Sequence, residues 1–169
     1  MPLQVTEPVE LGQLKVSQDK TMVFTIPELG SGVALIVHDR VANVGGVAHI
    51  LLPDNQLAGM NDQDPDMPAK FANIAVPLLF EQFEALGGSK KTGTARLVGG
   101  AQLFNFGGGG GNPLNTGPRN AIAIRAAVSR LGYVISKTEI GGNKARNLRF
   151  VLITGQIHVQ PVGGVAAIL

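Results

Sequence analysis

The amino-acid sequence predicts an α+β fold, because about eight strand-like segments and two long helical segments follow one another without regular alternation. Strands run consecutively at both ends of the chain, whereas a doubly wound parallel sheet would place a helix after each strand. The 169 residues, 44% of them hydrophobic, are enough for one core and too few for two large ones. We therefore expect a single domain covering residues 1–169.

The first half of the chain is predicted to contain four strands. Residues 12–17 alternate between apolar and polar side chains, and residues 21–26 continue in a similar manner. Residues 33–37 are a short apolar run rich in β-branched side chains, which indicates a strand buried on both faces. Residues 44–52 form a further strand, and Pro53 ends it because proline cannot donate a hydrogen bond to a neighbouring strand.

A helix is predicted after a polar segment, residues 54–68, which offers nothing to bury and is expected to be a loop. Apolar residues then recur at intervals of three and four positions, so that they fall on one helical face. They are Phe71, Ile74, Ala75, Leu78, Leu79, Phe83 and Leu86. The pair Gly87-Gly88 is expected to end this helix. Pro77 removes one backbone hydrogen bond inside it, so we expect a kink or a break there.

The second half of the chain begins with a strand at residues 94–98 and then a run of five glycines at positions 107–111. Because this run has no side chains to pack and high backbone entropy, it predicts a flexible surface loop. It lacks the lysine and the spacing of a phosphate-binding loop, so no phosphate site is expected there.

A second helix is predicted from Thr116, which can cap its first turn, to Gly132, which closes it. Its buried stripe consists of Ile124, Val128 and Leu131. Three strands complete the chain, at residues 133–138, 148–153 and 156–160. Thr154-Gly155 joins the last two as a tight hairpin.

Composition and charge exclude several classes of function. Fourteen basic and twelve acidic residues give a net charge of +2 without a basic cluster, so nucleic-acid binding is not implied. The chain contains no cysteine, which excludes disulfides, thiolate metal sites and thiol catalysis. No stretch approaches the roughly 20 apolar residues of a membrane span, and the N-terminus does not resemble a signal peptide. We expect a soluble, cytoplasmic protein without membrane insertion.

The three histidines, His38, His49 and His158, are the remaining metal-ligating candidates. They fall on three different predicted strands and no pair has the spacing of zinc ligands. From spacing alone, each is interpreted as a half-buried strand residue with one satisfied ring nitrogen. We expect no metal and no cofactor.

Several ordered blocks resemble the signatures of the chemoreceptor glutamine deamidase family, CheD. LGSGVA at 29–34, Asp39, GGVAH at 45–49 and Leu52-Pro53 resemble its LGSCVAV, D and GGMxH...LP signatures. GGAQLF at 99–104, GPRN at 117–120, GGNKAR at 141–146 and TG at 154–155 resemble its GGAxxF, GxRN, GGxxxR and TG blocks. The order is the same, the match extends from about residue 21 to about residue 162, and the spacing between position 32 and His49 is kept.

This resemblance implies both a fold and an activity. The fold is a sandwich of mixed or antiparallel sheets with two main helices on the outside. The activity is hydrolysis of receptor glutamines to glutamate and ammonia, in which a cysteine, activated by His49 as the base, attacks the amide carbon. The cysteine position is Gly32, which has no side chain that could form the covalent intermediate.

The family's third catalytic residue, a threonine, is also displaced in this chain. Its ungapped position is occupied by Ile26, and Thr25 is one residue away. Because side chains of a strand alternate between its faces, Thr25 can serve only if a bulge intervenes, and Pro27-Glu28 could supply one.

We therefore expect a catalytically silent CheD-like protein that binds a chemoreceptor or a CheC-type phosphatase around the emptied site, with Ser31 and Phe104 as binding residues. The alternative is an active deamidase, in which Gly32 was introduced in place of a native cysteine or a hydroxyl of Ser31 or Thr25 has taken over the attack. A third, unrelated interpretation makes the glycine run at 107–111 a ligand-binding loop.

Overall fold

The computed structural model describes residues 3–55, 64–103 and 116–169. Over these ranges the chain forms two five-stranded sheets and two helices. The strands are β1 (Val5–Pro8), β2 (Leu14–Ser17), β3 (Met22–Leu29), β4 (Val33–Asp39), β5 (Val44–Ile50), β6 (Gly93–Gly99), β7 (Ile135–Ile140), β8 (Arg146–Val151), β9 (Gln156–Pro161) and β10 (Ala167–Ile168), and the helices are α1 (Ala72–Ala85) and α2 (Thr116–Arg130).

Both sheets are mixed. The strand order is β1-β3-β8-β9-β10 in the first sheet and β2-β5-β4-β6-β7 in the second. The pairs β1-β3 and β6-β7 are parallel, and the other neighbouring strands are antiparallel. The predicted α+β class, a sandwich of mixed sheets with two helices outside, is confirmed.

Strand β4, in the middle of the second sheet, separates two apolar cores. Val33, Leu35 and Val37 pack in the core beneath the helices, whereas Ala34 and Ile36 pack in the core against the first sheet. All seven residues of the strand are buried. The prediction that this strand is buried on both faces is confirmed, and the order of layers is first sheet, second sheet, helices.

Helix α1 continues through Pro77, so the expected break does not occur. Its buried residues lie on both sides of the proline: Ala72, Ala75, Val76, Leu79, Phe80 and Phe83. Because the two halves pack in one core, burial of this face offsets the lost hydrogen bond, which costs about 3 kcal/mol. The helix stops where predicted, since Gly87 has a φ of +103° and the Gly88 N–H donates to the Phe83 carbonyl at 3.0 Å.

Two strands were not predicted from the sequence. β1 has four residues and β10 has two, and both lie at an edge of the first sheet with mostly exposed side chains. Strands this short and exposed show no alternation of apolar and polar residues. Residues 56–63 of the predicted loop and the predicted glycine loop at 107–111 lie outside the described residues. No helix in the described ranges is long and apolar enough to cross a membrane.

Candidate functional site

A cavity of about 400 Å³ lies at the end of the sandwich where β3 and β5 end and β4 begins. Its walls come from these strands, from the segment before β2 and from Leu103. The lining residues are Val9, Glu10, Leu11, Ile26, Pro27, Glu28, Gly30, Ser31, Gly32, His49, Leu51 and Leu103. Among them Glu10 and Glu28 carry carboxylates and none is a lysine or an arginine, so the electrostatic character of this cavity is acidic.

His49 is the buried ionisable group of this cavity, with 5% of its surface exposed. Its Nδ1 lies 3.4 Å from the Val9 carbonyl oxygen, which can only accept a hydrogen bond. Nδ1 therefore carries the proton, and Nε2 keeps its lone pair. Burial lowers the pKa of the imidazole below 6.5, more than the Val9 carbonyl and Glu10 raise it. His49 is neutral at pH 7, which is the form a general base requires.

Gly32 faces His49 directly. A Cβ built at Gly32 would lie 3.0 Å from Nε2 of His49 and 3.2 Å from the Ile50 carbonyl oxygen. Gly32 is not among the glycines with positive φ, so its backbone would accept a residue with a side chain. The structure thus brings position 32 and the predicted base together, and Gly32 itself offers no atom that could attack a substrate.

Thr25 does not join this pair. It is paired with Arg149 in the regular part of β3, and the bulge of this strand lies between Ile26 and Leu29, after Thr25. Thr25 lines a separate cavity of about 370 Å³, together with Arg149 and His158. Ile26 and Pro27 line both this cavity and the cavity of His49, whereas Thr25 lines only the former. Because side chains alternate along a strand, a bulge beyond Thr25 does not turn its hydroxyl toward His49.

Of the two predicted binding residues, only Ser31 lies in the described part of the chain. Ser31 is half-buried and lines the cavity beside Gly32. Phe104 lies outside the described residues.

Glycines of two sequence blocks hold the loop that carries Gly32. Gly100 N–H donates to the Gly32 carbonyl at 2.9 Å, and Ala101 N–H donates to the Gly30 carbonyl at 3.0 Å. A Cβ at Gly99 would lie 2.5 Å from the Gly32 carbonyl oxygen, and a Cβ at Gly117 would lie 2.5 Å from that of Gly100. These glycines therefore allow backbone segments to approach more closely than any side chain permits.

Arg146, which begins β8, ties the first sheet to the second near the cavity. Its guanidinium is buried and donates to the Gly99 carbonyl at 3.0 Å and to the Gly141 carbonyl. Its Nε lies 3.5 Å from a carboxylate oxygen of Glu139. The Arg146 side chain thus holds the ends of β6 and β7 and the start of β8 together. This arrangement places Gly99 against the Gly32 loop.

Replacing Arg146 by methionine is expected to lower the free energy of unfolding by roughly 3 kcal/mol, because the buried Gly99 carbonyl and the half-buried Gly141 carbonyl lose their charged donor. Chemical denaturation measures this change. The matched control is Arg125→Met, since Arg125 is exposed on α2, and it is expected to change stability by less than about 0.5 kcal/mol. Equal effects of both substitutions would contradict the role assigned to Arg146.

Two residues near the site were not singled out from the sequence. Asn120 of α2 is fully buried and donates from Nδ2 to the Ile50 carbonyl at 2.8 Å, which fixes the chain directly after His49. Val9 orients the imidazole through its backbone carbonyl. Asn120 belongs to the GPRN block and could have been considered for this reason, whereas a contact made by a backbone carbonyl leaves no signal in residue type.

The other residues of interest lie away from the cavity. Asp39 is at the opposite end of β4, where it accepts hydrogen bonds from the backbone of Val41, Ala42 and Ser89 and stabilises a turn. His38 approaches the Leu152 carbonyl oxygen at 2.9 Å from Nε2. Within the described ranges, no three histidine, aspartate or glutamate side chains come together as metal ligands would.

Comparisons with known proteins bear on the family of this chain. Residues 51–161 match the family described as CheD, chemotactic sensory transduction. The chain is 36% identical to a probable chemoreceptor glutamine deamidase CheD of Desulforamulus reducens, over 92% of this chain and 90% of the relative. It is 33% identical to the protein of the same description from Clostridium botulinum, over 92% of each. The first alignment covers 155 residues, so it includes positions 32 and 49.

Proposed function

The chain belongs to the CheD family of chemotactic sensory transduction proteins, and from this we propose that it acts in the cytoplasm as a catalytically silent docking domain. Its partner is a chemoreceptor, the substrate named for its relatives, or a CheC-type phosphatase. One observation carries the proposal: the position facing Nε2 of His49 is a glycine. The site keeps its base and its cavity but lacks a nucleophile.

The chemistry of amide hydrolysis shows which step the lack of a nucleophile removes. A cysteine at position 32 would give its proton to His49, attack the amide carbon and form a thioester with release of ammonia. Gly32 has no atom that can form this bond. Loss of the nucleophile costs on the order of a millionfold in rate in a serine protease, or about 8 kcal/mol of barrier. A correctly placed base alone does not recover a barrier of this size.

The proposal predicts docking without turnover. Purified protein incubated with receptors that carry glutamine is expected to release no more ammonia than a His49→Ala control does. Calorimetric titration is expected to detect a complex with the receptor or with the cognate CheC-type phosphatase. Turnover well above the control would overturn the silent assignment, and the absence of a complex with both partners would overturn the docking assignment.

A second candidate function is an active deamidase that uses a substitute hydroxyl. The position of Ser31 favours it, because this side chain lines the same cavity as His49. Thr25 lines the separate cavity and offers less support. If Ser31 is the nucleophile, Ser31→Ala abolishes an ammonia release that the unchanged chain shows. If the native residue at position 32 is cysteine, the sequence of the natural gene reveals it.

A further inference from the structure

We propose that the cavity of Thr25, on the outer face of the first sheet, binds a small organic carboxylate with a short apolar chain. Its volume of about 370 Å³ is within the range of ligand sites in proteins. None of its polar residues lines the cavity of His49. The inference is therefore independent of the proposed docking function and adds a second site to the domain.

A row of cross-strand neighbours forms the floor of this cavity. Thr25 of β3 is paired with Arg149 of β8, and Arg149 is paired with His158 of β9. Directly paired residues of antiparallel strands point to the same face of a sheet, with Cβ atoms about 4.5–5.5 Å apart. Their neighbours along the strands, such as Phe24 and Ile157, are buried in the core. The row therefore faces away from the core, and its three residues are half-buried.

Hydrogen-bond donors of two side chains are left for a ligand in this cavity. Arg149 can only donate; its Nη2 donates to Oε1 of Gln4, and no carboxylate of the described residues pairs with it, so other N–H groups of its fork remain. Oδ1 of Asn147 accepts the Glu28 N–H at 2.9 Å. Because a backbone N–H can only donate, this contact fixes the orientation of the amide and leaves the NH₂ group of Asn147 for a ligand.

The charge of this cavity favours an anion with a single negative charge. Arg149 contributes a permanent positive charge, and the described lining contains no aspartate, glutamate or lysine. Glu28 follows Pro27 in the chain but lines the cavity of His49. The planar fork of a guanidinium matches the two oxygens of a carboxylate. A phosphate dianion would keep a charge that one arginine does not neutralise.

The rim of the cavity adds apolar surface to this polar floor. Pro8, Pro27 and Ala166 line the cavity and are exposed to solvent. When they cover the carbon chain of a ligand, apolar surface is removed from water on both partners. An organic acid gains from the floor and from the rim, whereas an inorganic anion gains from the floor alone.

The test is a titration of the full chain with sodium hexanoate at constant ionic strength, followed by nuclear magnetic resonance of backbone and side-chain N–H groups. Hexanoate is expected to cause saturable shifts at Thr25, Asn147, Arg149 and His158, with a Kd in the millimolar range. Hexanamide, its neutral counterpart, and inorganic phosphate are each expected to bind at least about tenfold more weakly.

Two substitutions test the residues that supply the donors. Asn147→Asp keeps an acceptor for the Glu28 N–H but replaces the free donor by a negative oxygen, so hexanoate should bind at least about tenfold more weakly. Its matched control, Asn143→Asp, makes the same change at an exposed position outside the lining and should alter the affinity by less than about twofold. Arg149→Met is expected to weaken binding at least about tenfold, and the exposed Arg125→Met is not.

Several results would overturn this site. Equal binding of hexanoate and hexanamide, or equal affinity of Asn147→Asp and Asn143→Asp, would show that a carboxylate is not recognised there. Saturable binding of phosphate without binding of hexanoate would overturn the organic class of the ligand. Shifts that centre on His49 and spare Arg149 would place the ligand in the other cavity. None of these results decides the docking function, which the titration with its partners tests separately.

Discussion

A Gly32→Cys substitution is expected to convert the domain into a glutamine deamidase that releases ammonia at least about a thousandfold faster than the unchanged chain. The Cβ at this position lies 3.0 Å from Nε2 of His49, and the backbone is outside the left-handed region. A cysteine can therefore enter with small shifts of the imidazole and of the Ile50 carbonyl. We expect the gain to be smaller than the full effect of a nucleophile, because Ile26 stands where the resemblance to the family implies a third catalytic residue.

The chemistry of the restored site follows from the tautomer of His49. Nε2 accepts the thiol proton, the sulfur attacks the amide carbon, and the protonated imidazole gives the proton to the leaving nitrogen as ammonia departs. Water then attacks the thioester with Nε2 as its base and leaves glutamate and the free thiol. The Val9 carbonyl holds Nδ1–H throughout, which keeps the lone pair on the side of the substrate.

Ammonia release from receptor glutamines measures the outcome, and two variants control it. Gly32→Ala introduces the same crowding without sulfur and is expected to stay silent. His49→Ala in the Gly32→Cys background is expected to remove the gain. A folded Gly32→Cys protein that binds receptors and releases no ammonia would contradict the prediction. Adding Ile26→Thr would then test whether the third residue is indispensable.

The central part of this fold could be predicted from the sequence, because the residue patterns that indicate its strands and helices are local. The continuous apolar run of β4 and the helical spacing of α1 each depend on neighbouring residues, and both elements lie where they were expected. Of the kink or break expected at Pro77 the break does not occur, because the burial that stabilises α1 around it is a tertiary effect. β1 and β10 were not predicted from the sequence, because an exposed edge strand is defined by the strand it pairs with.

The candidate site, too, could be predicted from the sequence only in part. His49 and Gly32 could be named only through the resemblance to the CheD signatures, and the antiparallel pairing of β4 with β5 brings them together. The orientation of Thr25 could not be decided, because it depends on whether the bulge of β3 precedes or follows it. The role of Val9 arises from its backbone carbonyl, which is distant in sequence from His49. Such contacts leave no pattern in the order of residue types.

Gly99→Ala is expected to lower the free energy of unfolding by about 2–6 kcal/mol, which makes it the most destabilising small substitution proposed for this chain. Two costs add. Gly99 has a φ of +115°, a region that costs a residue with a side chain about 1–3 kcal/mol. The new Cβ would also lie 2.5 Å from the Gly32 carbonyl oxygen and 3.0 Å from the Leu29 side chain, and such overpacking costs about 1–3 kcal/mol.

Gly141→Ala separates these two costs. Gly141 has a φ of +96°, but a Cβ built there meets nothing within 4 Å. Its replacement should therefore cost only the conformational strain, about 1–3 kcal/mol. Denaturation of both variants measures the difference, which corresponds to a gap in Tm of roughly 2–12 °C for a chain of this length. Because the displaced atom in Gly99→Ala belongs to Gly32, this variant is also expected to weaken partner binding, whereas Gly141→Ala should bind normally. Equal stability and equal binding of the two variants would mean that the close approach of β6 to the Gly32 loop does not shape the site.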